Sequence, residues 1–217
     1  MADLFLDEFN GPPGSVAGHD AGGGHLWAAP FTGGDRLFLS GFGSLVAPPG
    51  SFGDAQIRIS EFASADEYEL ELKFGGPLTD TLEVEYGVQS VGDLTPGNYY
   101  INISNAGCSV RWYTKDPNQN FSWPDTIVEN TTITFRFTNG AAAPRLTCLY
   151  EGEFAFAYGT SDFVMADHIW KMATGDAAFA LLSLRAGTPT PPEPSAFWTS
   201  LVGATATLAD PAPPPEA

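Results

Sequence analysis

Three glutamates at alternate positions, Glu67, Glu69 and Glu71, are the residues of this sequence that come nearest to a catalytic pattern. Side chains of a β-strand alternate between its two faces, so these carboxylates are expected to lie side by side on one face. A pair of carboxylates is what glycoside hydrolysis needs, one as acid and one as nucleophile. A strand expected to pair with the first adds Glu83 and Glu85, and two such rows need solvent, a cation or a basic partner to limit repulsion. The alternation with apolar residues favours a solvated outer face over catalysis.

The second group with chemical potential is a polar loop, residues 116–125, that carries two aromatic rings. Sugar sites combine a ring, on which the apolar face of a pyranose stacks, with polar side chains that bind the hydroxyls. The loop offers both, and the candidate glycan-binding residues are Asn118, Asn120, Phe121, Trp123 and Asp125. The alternative is that Trp123 packs beneath the loop as part of the core.

Histidine and carboxylate side chains come together in one glycine-rich stretch, at His19, Asp20 and His25. Their spacing matches no zinc-finger or zinc-protease pattern, so bracing of the loop is favoured over metal binding. Hard oxygen ligands for Ca²⁺ could come from a set of scattered aspartates, although no calcium-loop motif orders them: Asp7, Asp20, Asp35 and Asp54. We predict no cofactor and no metal site, with Ca²⁺ as the ion left open. No nucleophile elbow, phosphate-binding loop or dinucleotide fingerprint occurs.

Charge and hydropathy exclude several classes of partner. Nine Lys and Arg face 26 Asp and Glu, which gives a formal net charge of −17 and argues against nucleic acid as a partner. No apolar run approaches the roughly 20 residues of a membrane helix, and residues 1–30 lack a secretion signal. The expectation is a chain made in a cytoplasm without membrane insertion. Cys108 and Cys148 could meet on neighbouring strands, and buried thiols are favoured over a disulfide.

The elements that must position these groups are strands. Alternating segments separated by Gly and Pro turns recur along the chain, with hairpins expected at residues 75–80, 105–107 and 151–153. The glycine-rich residues 14–24 are expected to cross from one sheet to the other, and residues 162–174 show the one helix-like spacing. Together they predict an all-β, two-sheet antiparallel sandwich of the jelly-roll type over residues 1–187.

A proline-rich arm, residues 188–217, follows the predicted sandwich. Its prolines hold it extended, and four apolar residues lie beyond them: Phe197, Trp198, Leu201 and Val202. These residues either return as the last strand of their own sheet or dock on a neighbouring protein by strand addition. They are the candidate partner-binding residues.

The opening stretch, residues 7–40, has the order Asp-x-Phe-Asn-Gly, Gly-His, Gly-Gly, Trp and Leu-x-Leu-Ser. It resembles the start of the concanavalin A-like, laminin-G-like jelly rolls of tailed-bacteriophage virions, and residues 100–113 and 133–149 look like later strands of that family. The resemblance implies a minor tail, tail-tip or capsid-surface protein that contacts other virion proteins, forms a homo-oligomer in the particle and binds host-surface glycan.

The sequence therefore predicts a non-enzymatic virion protein of the jelly-roll class. Two alternatives stay open. One is a glucanase-like glycoside hydrolase, because enzymes on this sandwich carry Glu-x-Asp-x-Glu on one strand and this chain has Glu67, Glu69 and Glu71 there. The other is a stand-alone carbohydrate-binding module that uses Trp123.

Overall fold

A computed structural model describes residues 2–28, 37–47, 53–59, 67–79, 81–87, 99–112, 118–138, 145–159, 168–174 and 179–189. This part of the chain is built from strands and contains no helix. The strands are β1 (Ala2–Asp7), β2 (Gly14–Ser15), β3 (Trp27–Ala28), β4 (Phe38–Leu39), β5 (Leu45–Ala47), β6 (Gly53–Ile59), β7 (Glu67–Phe74), β8 (Leu82–Gly87), β9 (Tyr99–Ser104), β10 (Gly107–Trp112), β11 (Gln119–Ser122), β12 (Thr132–Thr138), β13 (Arg145–Tyr150), β14 (Glu153–Gly159), β15 (His168–Thr174) and β16 (Phe179–Thr188).

Two antiparallel sheets share one core, which confirms the predicted sandwich. The nine-stranded sheet has the order β14-β13-β12-β7-β16-β5-β4-β2, and β1 pairs with β16 beside β5. The seven-stranded sheet has the order β11-β10-β9-β8-β15-β6-β3. Inward side chains of both sheets belong to a single hydrophobic cluster. No helix long and apolar enough to cross a membrane occurs among the described residues.

Alternation in the sequence determines which side chains form the core. On β7, Tyr68, Leu70, Leu72 and Phe74 are fully buried and the glutamates between them lie on the outer face. The same pattern buries Ile133, Phe135 and Phe137 of β12. Because a shift of one residue would exchange the two faces, this pattern also sets the register between β7 and β12.

The predicted hairpin between β7 and β8 is wrong, because the two strands belong to different sheets. The chain between them crosses the core edge at Leu78, which is 4% exposed. The side-chain amide of Asn105 holds this crossing: its Oδ1 accepts from Leu78 N at 2.8 Å and its Nδ2 donates to Leu78 O at 2.6 Å. Glu83 therefore lies in a different sheet from Glu67, and the two carboxylate rows are not paired.

Other local predictions are settled by the strand pairing. The hairpins β9–β10 and β13–β14 are confirmed, the second with Glu151 at φ 53° and Gly152 at φ 80° in its turn. The helix suggested by the spacing of residues 162–174 is wrong for residues 168–174, which form β15 between β6 and β8. A short apolar segment cannot be told from a buried helix by periodicity alone, because both place apolar residues close together in sequence. Residues 162–167 lie outside the described part.

Candidate functional site

A row of polar side chains crosses four strands on the outer face of the seven-stranded sheet. The register places Glu83 opposite Asn102, Asn102 opposite Ser109, and Ser109 opposite Asn120. The row points away from the core because its neighbours along β8, β9 and β10 are fully buried apolar residues: Leu82, Val84, Ile101, Ile103 and Val110. We call Glu83, Asn102, Ser109 and Asn120 the polar row.

An open pocket of about 290 Å³ lies at the polar row, next to the turn between β9 and β10. Its polar lining comes from Thr81, Asn102, Ser104, Ser109 and Asn120, and Phe121 adds an apolar side. Asn102 Nδ2 donates to Ser109 Oγ at 3.5 Å, which leaves a second amide hydrogen and the amide oxygen of Asn102 for other partners. The pocket is rich in amides and hydroxyls, the groups that bind sugar hydroxyls.

The floor of the pocket depends on close packing of β10 against β11. A Cβ atom at Gly107 would overlap the carbonyl oxygen of Phe121, so only glycine permits this approach of the two backbones. Ser104 Oγ donates to Gly107 O at 3.0 Å across the β9–β10 turn. The position of Asn120 therefore depends on the glycine at position 107.

Trp123, predicted as an exposed platform for sugar, is instead buried at 6% exposure. Its indole Nε1 donates to Ser104 O at 2.9 Å and its ring stacks on Tyr150 at 5.6 Å between centroids. The structure thus has the alternative arrangement, in which the tryptophan packs under the loop. A buried ring whose donor is already used has no free face for a pyranose.

The other predicted glycan-binding residues divide into two groups. Asn120 and Phe121 line the pocket, although Phe121 is half-buried and stacks on Phe156 with 3.9 Å between ring centroids. Asn118 and Asp125 are exposed and are not part of the pocket lining, and Asp125 Oδ1 accepts from Thr126 N at 2.7 Å. The loop expected at residues 116–125 contains β11, which pairs with β10.

Sequence reasoning missed Asn102, Ser104 and Ser109, which lie on β9 and β10. Their signal was present: Asn102 and Ser104 alternate with the buried Ile101 and Ile103. The sequence does not show which strands are neighbours in the sheet. Only the pairing of β9, β10 and β11 brings these side chains next to Asn120.

A second polar group lies beside the polar row, one step further along the strands. Tyr100 is 2% exposed, and the Arg111 guanidinium carbon is 5.0 Å from its ring centroid in a cation–π arrangement. Gln56 of β6 lies on the same outer face, because the next residue of the strand, Ile57, is fully buried in the core. The side-chain oxygen of Gln56 is buried without a hydrogen-bond partner among the described residues.

The three glutamates of β7 are engaged with β12 on the outer face of the nine-stranded sheet. Arg136 Nε donates to Glu69 Oε1 at 2.6 Å, and Glu69 is only 6% exposed. Thr138 Oγ1 donates to Glu67 Oε1 at 3.3 Å, and Thr134 Oγ1 lies 3.5 Å from Glu71 Oε2. Cross-strand partners therefore offset the repulsion expected within this row.

The buried carboxylate of Asp7 organises the glycine-rich crossing. It accepts from Trp27 Nε1 at 2.7 Å and from Phe9 N at 2.7 Å, and it is hydrogen-bonded to His19 Nε2 at 2.9 Å. Residues between β2 and β3 do cross from the nine-stranded to the seven-stranded sheet, as predicted. A pocket of about 190 Å³ opens next to Asp7 and His19.

The remaining metal candidates have structural partners. His25 packs its ring on Phe5 at 5.1 Å, and Asp20 Oδ1 accepts from Gly22 N at 2.9 Å. Among the described residues no three His, Cys, Asp or Glu side chains are placed to hold a metal ion. Asp35 and the side chain of Asp54 lie outside that description, so Ca²⁺ binding through the aspartate set stays a prediction.

Both cysteines are buried and free. They lie on β10 and β13, strands of different sheets, so the expectation that they meet on neighbouring strands is wrong. Burial raises the pKa of the Cys108 thiol to about 12. The pKa of Cys148 is raised well above its usual value by burial and, in second place, by the charge of Cys108. Phe197, Trp198, Leu201 and Val202 lie outside the described residues.

Three solved structures with a similar fold are named for carbohydrate-active or carbohydrate-recognising proteins. The endo-1,3-beta-glucanase from Streptomyces sioyaensis matches with a TM-score of 0.60 at 12% identity, over 88% of this chain and 97% of that one. A structure reported for mucin-degrading endo-acting O-glycanases of the human gut microbiota gives 0.59 at 11% identity, over 87% and 100%. The carbohydrate recognition domain of Emp46p, in its potassium-bound form, gives 0.50 at 15% identity, over 76% and 89%.

At these identities the comparisons establish the fold alone, a concanavalin A-like jelly-roll sandwich. No protein-family model matches the sequence, and no curated protein matches it either. Nothing in these matches links the chain to phage tail or capsid proteins.

Proposed function

We propose that this protein binds carbohydrate in the pocket at the polar row, next to the turn between β9 and β10. The observation that carries the proposal is the convergence of Asn102, Ser109 and Asn120 from three strands on one open pocket of about 290 Å³. A rigid sheet fixes the spacing of these groups, which lowers the entropic cost of ordering them around a ligand. The carbohydrate-active and carbohydrate-binding proteins with the same fold support this choice of ligand class.

The ligand is a neutral saccharide. The polar lining consists of amides and hydroxyls, which both donate to and accept from sugar hydroxyls. Glu83 adds an acceptor at one end of the row, and the chain carries a net charge of −17. Sulfated or uronic-acid polymers would be repelled by this field, so neutral hexoses and N-acetylhexosamines are the expected ligands.

Binding without hydrolysis is the form of the proposal. The carboxylates that could act as acid and nucleophile, Glu67, Glu69 and Glu71, lie on the outer face of the other sheet and are paired with β12. A general acid must reach the glycosidic oxygen of the bound sugar, and these groups are on the far side of the core from the pocket. The alternative, glycoside hydrolysis, is tested with the same ligands.

A glycan array of neutral and acidic saccharides tests the ligand class, and calorimetry on the best ligand tests the site. Asn120→Ala and Asn102→Ala should each weaken binding about tenfold, since each removes a hydrogen-bonding amide worth about 1.4 kcal/mol. Thr147→Ala is the matched control, because Thr147 is half-buried on the outer face of the other sheet. Unchanged affinity in both asparagine variants would place the ligand elsewhere.

Hydrolysis is assayed by incubating the bound saccharides with the protein and measuring new reducing ends. We expect none. Release that disappears in Glu69→Gln but persists in Thr147→Ala would replace binding by the glycosidase alternative.

The setting we propose for this binding is the surface of a tailed-phage particle, on the strength of the opening motif in residues 7–40. There the module would attach to other virion proteins and contact host-surface glycan. Antibody labelling of purified particles in electron micrographs tests it. Unlabelled particles would remove the virion setting and leave the saccharide site to be judged by calorimetry.

A further inference from the structure

The two cysteines lie on different sheets, each on the strand next to the terminal strand of its sheet. Cys108 on β10 is 5% exposed and Cys148 on β13 is fully buried, and both belong to the core cluster. Cys108 belongs to the seven-stranded sheet and Cys148 to the nine-stranded sheet. A buried thiol packs as a small apolar side chain, but two that meet across an interface between sheets also have a reaction open to them.

Strand register places Cys108 and Cys148 at equivalent positions in the two sheets, each opposite a phenylalanine of the terminal strand. Cys108 is directly opposite Phe121 of β11, and Cys148 is directly opposite Phe156 of β14. The rings of Phe121 and Phe156 stack face to face, with 3.9 Å between centroids and 7° between planes. Since these phenylalanines meet across the core, the cysteines one strand further inward are brought together as the next facing pair.

The edge where they lie is held together by side chains. β11 and β14 are the terminal strands of their sheets, and neither is hydrogen-bonded to the other in the described ladders. Contacts between the hairpins are aromatic: Phe121 on Phe156, and Trp123 on Tyr150 and Phe156. A covalent bond here would join the two open edges of the sandwich.

We propose that Cys108 and Cys148 are a thiol pair that a soluble disulfide oxidises to an intramolecular, cross-sheet disulfide. In the first step the Cys108 sulfur attacks one sulfur of oxidised glutathione, and one glutathione leaves as the thiol with the Cys108 proton. In the second step the Cys148 sulfur attacks Cys108 of the mixed disulfide, and the second glutathione leaves as a thiol. Two protein thiols are oxidised and one glutathione disulfide is reduced to two thiols.

In the folded protein Cys108 is 5% exposed and Cys148 is fully buried, and both side chains belong to the core. Burial raises the pKa of both thiols, so the attacking thiolate forms more readily before the core has closed. Oxidised glutathione therefore reacts with the chain during folding, first at Cys108, the less buried thiol. The buried partner resolves the mixed disulfide because no exposed thiol competes with it, and Cys108 and Cys148 are the only cysteines of the sequence.

The test uses the full-length protein, refolded once in reduced and once in oxidised glutathione. Each sample is alkylated in denaturant, and the mass of the intact protein is measured by mass spectrometry. We expect the oxidised sample to take up no alkyl group and no glutathione, and to lose two hydrogen atoms relative to the reduced protein. Its melting temperature should rise by several degrees, because the bond restricts the unfolded chain, and dithiothreitol should reverse the rise.

Cys108→Ser and Cys148→Ser are the control variants, and neither should show a melting temperature that depends on glutathione redox state. The comparison of oxidised and reduced wild type decides the matter even if a variant fails to fold. Two alkylated thiols after refolding in the oxidant, a stable glutathione adduct on Cys108, or a bond that lowers the melting temperature would each overturn the proposal. A disulfide requires Cβ atoms within about 4.5 Å, so a core too rigid for this approach gives the first of these results.

Discussion

The two outer faces of the sandwich follow the same alternation but use it differently. On the nine-stranded sheet the outward residues of β7 are charged, and partners on β12 engage them: Arg136 binds Glu69, and threonine hydroxyls approach Glu67 and Glu71. On the seven-stranded sheet the outward residues of β9, β10 and β11 that surround the open pocket are amides and hydroxyls. Charge satisfied within a sheet contributes to stability, whereas neutral polar groups beside a pocket keep capacity for a ligand.

The largest effect is expected on the pocket-bearing face, where the backbones of β10 and β11 approach closely at Gly107. Gly107→Ala should displace β11 from β10, because the new methyl group overlaps the Phe121 carbonyl oxygen. We expect a loss of about 3 kcal/mol in the free energy of unfolding and loss of saccharide binding. Urea denaturation and calorimetry measure the two quantities.

Gly76→Ala is the control for that substitution, since nothing lies within 4 Å of its Cβ position. It should leave both quantities nearly unchanged. Wild-type affinity in Gly107→Ala would show that the position of β11 does not determine the site.

A smaller effect is expected on the charged face. Arg136→Ala leaves the Glu69 carboxylate, 6% exposed, without its cation. The free energy of unfolding should fall by about 2 kcal/mol, less than for a fully buried pair because Arg136 is about one-third exposed. Saccharide affinity should stay at the wild-type value.

The double variant Glu69→Gln/Arg136→Met removes both charges and should recover most of the lost stability. Reduced saccharide affinity in Arg136→Ala would contradict the division of roles between the faces. A fully stable Arg136→Ala would show that water satisfies Glu69 as well as the arginine does.

The smallest effect tests the exposed margin of the same face. Thr138→Ala removes a hydroxyl that donates to Glu67 Oε1 at 3.3 Å in an exposed position. Water can replace this hydrogen bond, so the change in unfolding free energy should stay below about 0.5 kcal/mol. A loss above about 1 kcal/mol in urea denaturation would mean that the glutamate row acts as one cooperative network.

The sequence predicted the faces of the strands well and their neighbours less well. Alternation on β7 and β12 identified core residues correctly, because each side chain's direction depends on its own position in the strand. Pairing depends on distant segments. The turn residues near Gly75 predict a hairpin, whereas Leu78 and Asn105 make a crossing between the sheets.

The candidate site shows the same limit. Asn120 and Phe121 were identified from composition, and both line the pocket. The residue type of Trp123 suggests a platform for sugar, yet its ring stacks on Tyr150 and its Nε1 donates to Ser104 O. Whether an aromatic ring in a polar loop faces solvent depends on what the loop packs against, and that information lies in β9 and β13, not in the loop.

The pairing of β1 with β16 has a consequence for the timing of synthesis. Asp3 and Gly187 are register partners, and Arg185 Nε donates to Asp3 Oδ1 at 2.5 Å. At a translation rate of about 5–20 residues per second, β1 leaves the ribosome roughly 10–40 s before its partner exists. Through that interval Phe5 and Phe9, buried in the finished fold, have no sheet to cover them. The nascent chain spends this time with β1 unpaired with β16, so a chaperone that shields hydrophobic chains can bind there.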